Sequence, residues 1–316
     1  MQILVIGSGA VGSLYGSLLA RQGETVSMVA RSDYEKIRAD GIHIRSIPLG
    51  DSHFRPARIF RHASEMPEAP DVIMVCVKLV PGVDRIALLQ GSIGPNTTIV
   101  LVSNGIGIED EIESAFPDNE VISGLAFVGV TRTSPGEIWH QSFGRLLLGH
   151  ARGGMSPRAE YLASVFSKAG IESEAVSDIT RSRWQKCVWN GAFNPLSVLA
   201  GGVDTQYLIE HHEALLKTVM REVCAIAEAA GYTLASDIDA MIEKTIAGTR
   251  KMKAYKTSML VDHEAGHPME VEAILGNMLR QARQFDISVP RLETLYELLS
   301  SIQHISSAGS TSGGST

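Results

Sequence analysis

At 316 residues the chain is long enough to bury a sizeable core and to form two domains. It is 44% hydrophobic and 20% charged, the balance of an ordinary soluble globular enzyme. A net charge of −7 argues against nucleic acid or an anionic membrane surface as its main partner. The three cysteines, Cys76, Cys187 and Cys224, are scattered and lack Cys-x-x-Cys spacing. That usage suits a reducing, cytoplasmic compartment and offers no metal or redox motif. No apolar run reaches the ~18 residues of a membrane span, and the N-terminal stretch lacks the basic region of an export signal.

Met1 to Gly7 reads as a short continuous apolar run, suited to a strand buried on both faces. Gly7-Ser8-Gly9-Ala10-Val11-Gly12 follows at once, then a helical pattern from Ser13 to Gln22. A Gly-x-Gly-x-x-Gly alone says little; strand, glycines and helix in that order predict a dinucleotide-binding turn. Its glycines allow a tight turn and close approach of the backbone to a pyrophosphate, which then faces the helix N-terminus.

The second strand, 25–30, ends in Ala30-Arg31. Binders of NAD usually place Asp or Glu there for the ribose 2′-hydroxyl, whereas a guanidinium suits the 2′-phosphate of NADP. Asp33, two residues on, is the counter-indication, and NADP is the cofactor expected. Two further apolar strands, 71–77 and 97–102, are followed by Lys78 and by Ser103-Asn104-Gly105. In open parallel sheets ligands bind beyond the carboxyl ends of strands, so Lys78 and Asn104 fall where cofactor and substrate would lie. Read blandly, each is a strand-end cap or a turn residue. Residues 120–149 read as a β-meander completing the sheet. A helix over 157–168 and a strand near 171–176 close the first domain, 1–177.

From Ser177 onward helical periodicity replaces strands, with segments at 178–199, 205–230, 236–252, 269–285 and 290–303. The expected fold is therefore α/β: an N-terminal Rossmann-type dinucleotide-binding domain followed by an all-α domain, 178–305. The low-complexity polar stretch 306–316 reads as a disordered tail.

The first of these helices carries Lys186, Asn190 and Asn194 at i, i+4 and i+8, so they stack on one face. Almost everything else from Trp184 to Leu199 is apolar, and a buried ammonium beside two amides needs partners. The plain reading is a solvated stripe on a core helix. One cation with two neutral amides, however, can donate to a carboxylate and a carbonyl, and suits the wall of a small-molecule site. Burial should lower the Lys186 pKa and a nearby carboxylate should raise it; the residues alone leave the winner open.

Between two later helices lies His263-Glu264-Ala265-Gly266-His267, a formal match to the zinc-protease His-Glu-x-x-His. That motif needs one continuous helix to align both histidines, and Gly266 with Pro268 predicts a helix being left. No metal is expected. Ser258 reads as a loop hydroxyl. Glu270 sits at the start of an amphipathic helix, where an acid also simply complements the macrodipole.

Together these motifs resemble the ketopantoate reductase (2-dehydropantoate 2-reductase) family over nearly the whole chain except the tail. The resemblance rests on the glycine loop, Lys78, Ser103-Asn104-Gly105, Lys186-x3-Asn190-x3-Asn194, and Ser258-Met259 with Asp262, Gly266 and Glu270. It implies NADPH-dependent reduction of ketopantoate to pantoate, in pantothenate (coenzyme A precursor) biosynthesis. Lys186 would be the general acid and Glu270 would hold the substrate hydroxyl. Asn104, Asn190, Asn194 and Ser258 would bind substrate; Arg31 would take the NADP phosphate and Lys78 would sit by the cofactor. Ser103 departs from the family, which often has an amide there. The expected partner is a small-molecule 2-oxo acid, with neither nucleic acid nor membrane, and a homodimer is the candidate assembly. Competing readings are a reductase of another 2-oxo or 3-oxo acid, a non-catalytic NADP-sensing protein and a zinc peptidase.

Overall fold

The computed structural model of the protein describes residues 1–311; residues 312–316, the end of the expected tail, lie outside them. The chain divides into two compact units. The first comprises Met1–Lys78, Val83–Asn104 and Ile108–Ile179; the second comprises Leu79–Gly82, Gly105–Gly107 and Thr180 onward. Two short stretches of the N-terminal half thus belong to the second unit, a division that periodicity does not announce.

The first unit runs β1 (Gln2–Ile6), α1 (Ala10–Arg21), β2 (Thr25–Val29), α2 (Tyr34–Asp40), β3 (Ile42–Ser46), β4 (Ser52–Phe54) and β5 (Ile59–Phe60). It continues through β6 (Val72–Val75), α3 (Arg85–Leu89), β7 (Thr98–Val102), α4 (Asp110–Ala115), β8 (Val121–Ser134), β9 (Glu137–His150), α5 (Pro157–Lys168) and β10 (Ser173–Ala175). One sheet holds these strands in the order β4-β3-β9-β8-β7-β6-β1-β2-β5, with β10 beside β9. Every residue of β6 and β7 is buried, which is why those strands are continuously apolar. From β1 the parallel pairing runs one way to β2 and the other way to β6. That reversal is a topological switch point, where such sheets bind ligands.

The meander expected over 120–149 is a single long hairpin instead. β8 lies parallel to β7 and antiparallel to β9, and β9 then pairs in parallel with both β3 and β10. Two of its glycines allow close packing within the sheet. A Cβ at Gly129 would lie 2.6 Å from Ser142 Oγ and one at Gly124 3.0 Å from Val102. The hairpin is held over α1 and α5, where Tyr15 and Phe166 meet edge-to-face at 5.4 Å. α5 starts at Ser156, whose hydroxyl accepts from the Ala159 amide, and has Pro157 in its first turn, both favoured helix-start features.

The second unit contains α6 (Ile179–Leu199), α7 (Thr205–Ala229), α8 (Ile238–Arg250), α9 (Ser258–Glu264), α10 (Asn277–Gln284) and α11 (Pro290–Thr311), with no strand among its described residues. A π-helical turn, Glu272–Gly276, leads into α10. α11 carries the first part of the expected tail as helix, since extending a formed helix costs far less than starting one. No helix of the described residues is long and apolar enough to cross a membrane.

α6 is the centre of this unit's core. Trp184 and Phe193 are fully buried, and the Trp189 ring stacks on Phe193 at 4.6 Å. Gly191 lets neighbours approach closely: a Cβ there would meet Met278 at 3.0 Å and Val223 at 3.1 Å. Pro195 removes one backbone donor, so the Gly191 carbonyl lacks its regular helical partner. Deleting the Phe193 ring leaves a cavity that close-packed neighbours cannot fill, and Phe193→Ala should cost about 3–5 kcal/mol. Chemical denaturation followed by tryptophan fluorescence checks this; a loss below about 1 kcal/mol would mean that the core collapses around the gap.

Candidate active site

The first unit gathers the glycine loop and three further predicted residues at the carboxyl ends of adjacent parallel strands. The glycine loop follows β1, Arg31 follows β2, Lys78 lies beyond β6 and Asn104 beyond β7. Lys78 is exposed and Asn104 half-buried, and the Ser103 hydroxyl donates to the Val77 carbonyl at 3.3 Å, tying the ends of β6 and β7 together.

The loop's geometry explains its glycines. Gly7 has φ +108°, and a Cβ at Gly12 would lie 2.0 Å from the Gly7 carbonyl oxygen, so a side chain there would break the turn. A Cβ at Gly9 would meet nothing within 4 Å. Gly9 also caps α1 without a side chain, and the first turn of α1 contains no acid. Open space above a helix N-terminus that lacks its own anion fits a dinucleotide pyrophosphate. The Ser13 hydroxyl, bonded to the Ser8 carbonyl at 3.0 Å, fixes the rest of the loop.

At the end of β2, Arg31 is exposed, whereas Asp33 is only 1% exposed. The acid that weighed against NADP is therefore turned inward. Its Oδ1 pairs with Arg132 Nη1 at 2.6 Å.

In the second unit Lys186, Asn190 and Asn194 share one face of α6. Both amides are buried and Lys186 is half-buried. The Lys186 pKa is pushed down to about 8, first by burial and then by the Arg183 guanidinium, against upward pulls from Cys187 and Glu270. Burial wins the contest that the sequence left open.

Glu270 is buried and lies just before the π turn that opens onto α10. Its Oε1 accepts from the Leu79 amide at 3.1 Å, in the short stretch that follows Lys78. Leu79 went unnoticed in the sequence, because a backbone donor 191 residues away leaves no pattern. Arg183 also went unnoticed although it sits one turn before Lys186. It is fully buried and donates to the Gly105 carbonyl at 3.0 Å. Gly105 has φ +97°, and a Cβ there would fall 2.0 Å from the Ala273 carbonyl oxygen, so only glycine lets this stretch lie against the π turn.

Ser258, expected on a loop, is the exposed first residue of α9. Thr257 caps that helix by accepting from the Leu260 amide at 3.1 Å, and it shares a 2.7 Å hydrogen bond with Ser197 of α6. The Thr-x-x-Leu start carried a capping signal, masked by the Gly266 and Pro268 that follow. α9 ends at Glu264 and Gly266 has φ +68°, so His263 and His267 do not share one helix face. Among the described residues no group of three or more His, Cys, Asp or Glu is arranged to hold a metal.

Comparison with known proteins follows these features closely. Residues 3–153 match the sequence profile described as ketopantoate reductase PanE/ApbA, and residues 178–303 match its C-terminal counterpart. This chain belongs to the ketopantoate reductase family. The 2-dehydropantoate 2-reductases of this family are NADPH-dependent oxidoreductases. The crystal structure of 2-dehydropantoate 2-reductase from Methylococcus capsulatus is 54% identical, with a TM-score of 0.92 over 97% of this chain and 98% of that one. The corresponding structure from Geobacter metallireducens is 32% identical, with a TM-score of 0.88 over 95% and 99%. A 2-dehydropantoate 2-reductase from Nostoc sp. is 32% identical over 93% of each chain.

The Lys186 environment can be checked without turnover. With lysines carbon-13 labelled at Cε, an NMR titration of the full chain should show Lys186 deprotonating near pH 8, well before the ordinary lysines. A midpoint at the usual 10.5 would mean that the upward pulls of Cys187 and Glu270 cancel the effect of burial and Arg183.

Proposed function

We propose that the protein reduces 2-dehydropantoate to pantoate, with Lys186 as the general acid. The observation that carries this reading is a half-buried lysine whose pKa is held at about 8, stacked with two buried amides and beside a buried glutamate. NADPH, when bound, supplies the hydride that the keto carbon receives. As the carbonyl oxygen gains electron density, the Lys186 ammonium stabilises it electrostatically and passes a proton from Nζ to it. A pKa near 8 leaves the charged form ahead by about tenfold at pH 7 while making the proton far easier to give than that of a solvated lysine.

Glu270, oriented by the Leu79 amide, grips the substrate hydroxyl in this scheme. Asn190 and Asn194 donate to the substrate without bringing another charge beside Lys186, and Ser258 contributes a hydroxyl. Asn104 as a substrate residue and Lys78 as a cofactor residue rest on the family resemblance and on their placement at strand ends. Arg31 is assigned to the 2′-phosphate because it is the exposed cation at the end of β2. A small 2-oxo acid is the partner, and a homodimer is the candidate assembly, which sedimentation velocity tests.

NADPH oxidation against a panel of 2-oxo and 3-oxo acids tests the substrate; equal or better rates with another acid would move the assignment. Lys186→Ala should lower the turnover number by ~10²–10⁴, the worth of a positioned acid, with NADPH binding nearly unchanged. Glu270→Ala should show more of its loss in KM, and the double variant should lose less than the sum of the two. Near-normal turnover in correctly folded Lys186→Ala would refute the mechanism. Separately, Arg31→Ala should raise the KM for NADPH and leave NADH nearly unaffected, since only NADPH carries the phosphate. Equal losses for both cofactors would make Arg31 structural.

A further inference from the structure

The segment after β2 contains an arrangement that neither cofactor loop nor fold requires. Asp33 occupies the capping position of α2, where an aspartate ordinarily accepts from the helix's first free amides. Here it makes no side-chain cap bond. Its carboxylate is turned instead to Arg132, which arrives from β8, 99 residues later in the chain, at 2.6 Å. The Ser32 hydroxyl donates to the same Oδ1 at 2.9 Å, while Oδ2 is buried with no hydrogen-bond partner. The capping contribution is therefore forgone for a charge pair.

The hairpin is shaped to deliver Arg132. The register of β8 against β9 shifts between Arg132 and Ser134, and such bulges twist a strand and redirect its side chains. Asp33 itself is nearly inaccessible, whereas the Arg132 side chain is 35% exposed. The neighbouring charges on α2 and after β5 are matched separately, Glu35 pairing with Arg61 at 2.5 Å and Arg61 lying over the Tyr34 ring at 4.1 Å. Within the segment, Arg31, Asp33 and Arg132 sum to one net positive charge. Remove Arg132 and the sum is zero, with an uncompensated carboxylate two residues from Arg31.

We propose that Arg132 is a positioning residue for cofactor choice: by neutralising Asp33 it leaves Arg31 as an unopposed cation for the 2′-phosphate of NADP. This rests on the reading of Arg31 as the phosphate holder. The role is electrostatic and acts through Asp33, so it should appear as a difference between NADPH and NADH, in binding as well as in rate. A purely structural pair would weaken both cofactors alike.

The test measures Kd for NADPH and NADH by calorimetric titration of the full-length chain, without substrate, at low and moderate salt. Arg132→Met should weaken NADPH by about tenfold at low salt, less at moderate salt, and leave NADH within about twofold. Asp33→Asn should tighten NADPH by a few-fold, because both arginines are then unopposed. The double variant should return to within about threefold of the parent, since the net charge is restored.

If the double variant binds NADPH as weakly as Arg132→Met, Arg132 touches the phosphate itself and the proposal fails. Equal losses for both cofactors in Arg132→Met overturn it as well. Should Arg132→Met not fold, Asp33→Asn decides alone, and unchanged or weaker NADPH binding sinks the idea. Arg31→Ala measured alongside separates the two levels. If it weakens NADPH while Arg132→Met does not, only the present inference is lost; if it leaves NADPH untouched, the assignment of Arg31 falls with it.

Discussion

The second unit is arranged around an ammonium that is largely withdrawn from water. Desolvating such a group is expensive, and it lowers its proton affinity unless an opposite charge is supplied at short range. Here burial and Arg183 outweigh the pull of Glu270, and the Lys186 pKa settles near 8. That balance requires Glu270 to be held in place, and the Leu79 amide holds it. It also requires Arg183 to be held, and the Gly105 carbonyl accepts from it. The two short stretches that leave the first half of the chain for the second unit, Leu79–Gly82 and Gly105–Gly107, are thus the ones that fix the groups setting the lysine's charge.

The legible parts of this protein were those encoded locally. β1, the glycine loop and α1 form one continuous pattern, and the stripe on α6 repeats every four residues. Both could be read because neighbours in sequence are neighbours in space at those places. The poorly read parts depend on separation. Leu79 with Glu270, Arg183 with Gly105 and Asp33 with Arg132 join residues 191, 78 and 99 positions apart, and none has a periodic signature. The hairpin of β8 and β9 was misread for another reason. Strand length is not marked in this stretch: Gly124, Gly129 and Gly144 lie within β8 and β9, and the chain turns at Gly136. α9 was missed because its breakers are stronger signals than its cap, although Thr257 supplies that cap and also ties it to α6.

Charge is placed differently in the two units. Beyond β2 the first unit exposes Arg31 and hides the competing acid against Arg132, which suits an anion that arrives with its own negative charge. Around Lys186 the second unit uses amides in place of further charged donors. On the proposed mechanism the difference follows from what each place has to do. A group that only binds an anion gains from every uncompensated positive charge nearby, limited by screening. A group that must also release a proton at neutral pH cannot be treated that way.

The identity of the residues beside Lys186 follows from that limit. A second ammonium at position 190 or 194 would stand one or two turns away on the same face and, like Arg183, would depress the lysine further and shrink its charged fraction at neutral pH. A carboxylate there would add to Glu270, return the pKa toward that of an ordinary lysine and make the proton harder to give. Neutral amides can donate hydrogen bonds to an anionic substrate without moving the balance in either direction. Asn190 and Asn194 are buried deeply enough that their orientation is set by packing, with Gly191 admitting Met278 and Val223 and with Pro195 interrupting the helical bonds just beyond. On the proposed mechanism the same helix therefore supplies the acid, the neutral donors and the core that aims them.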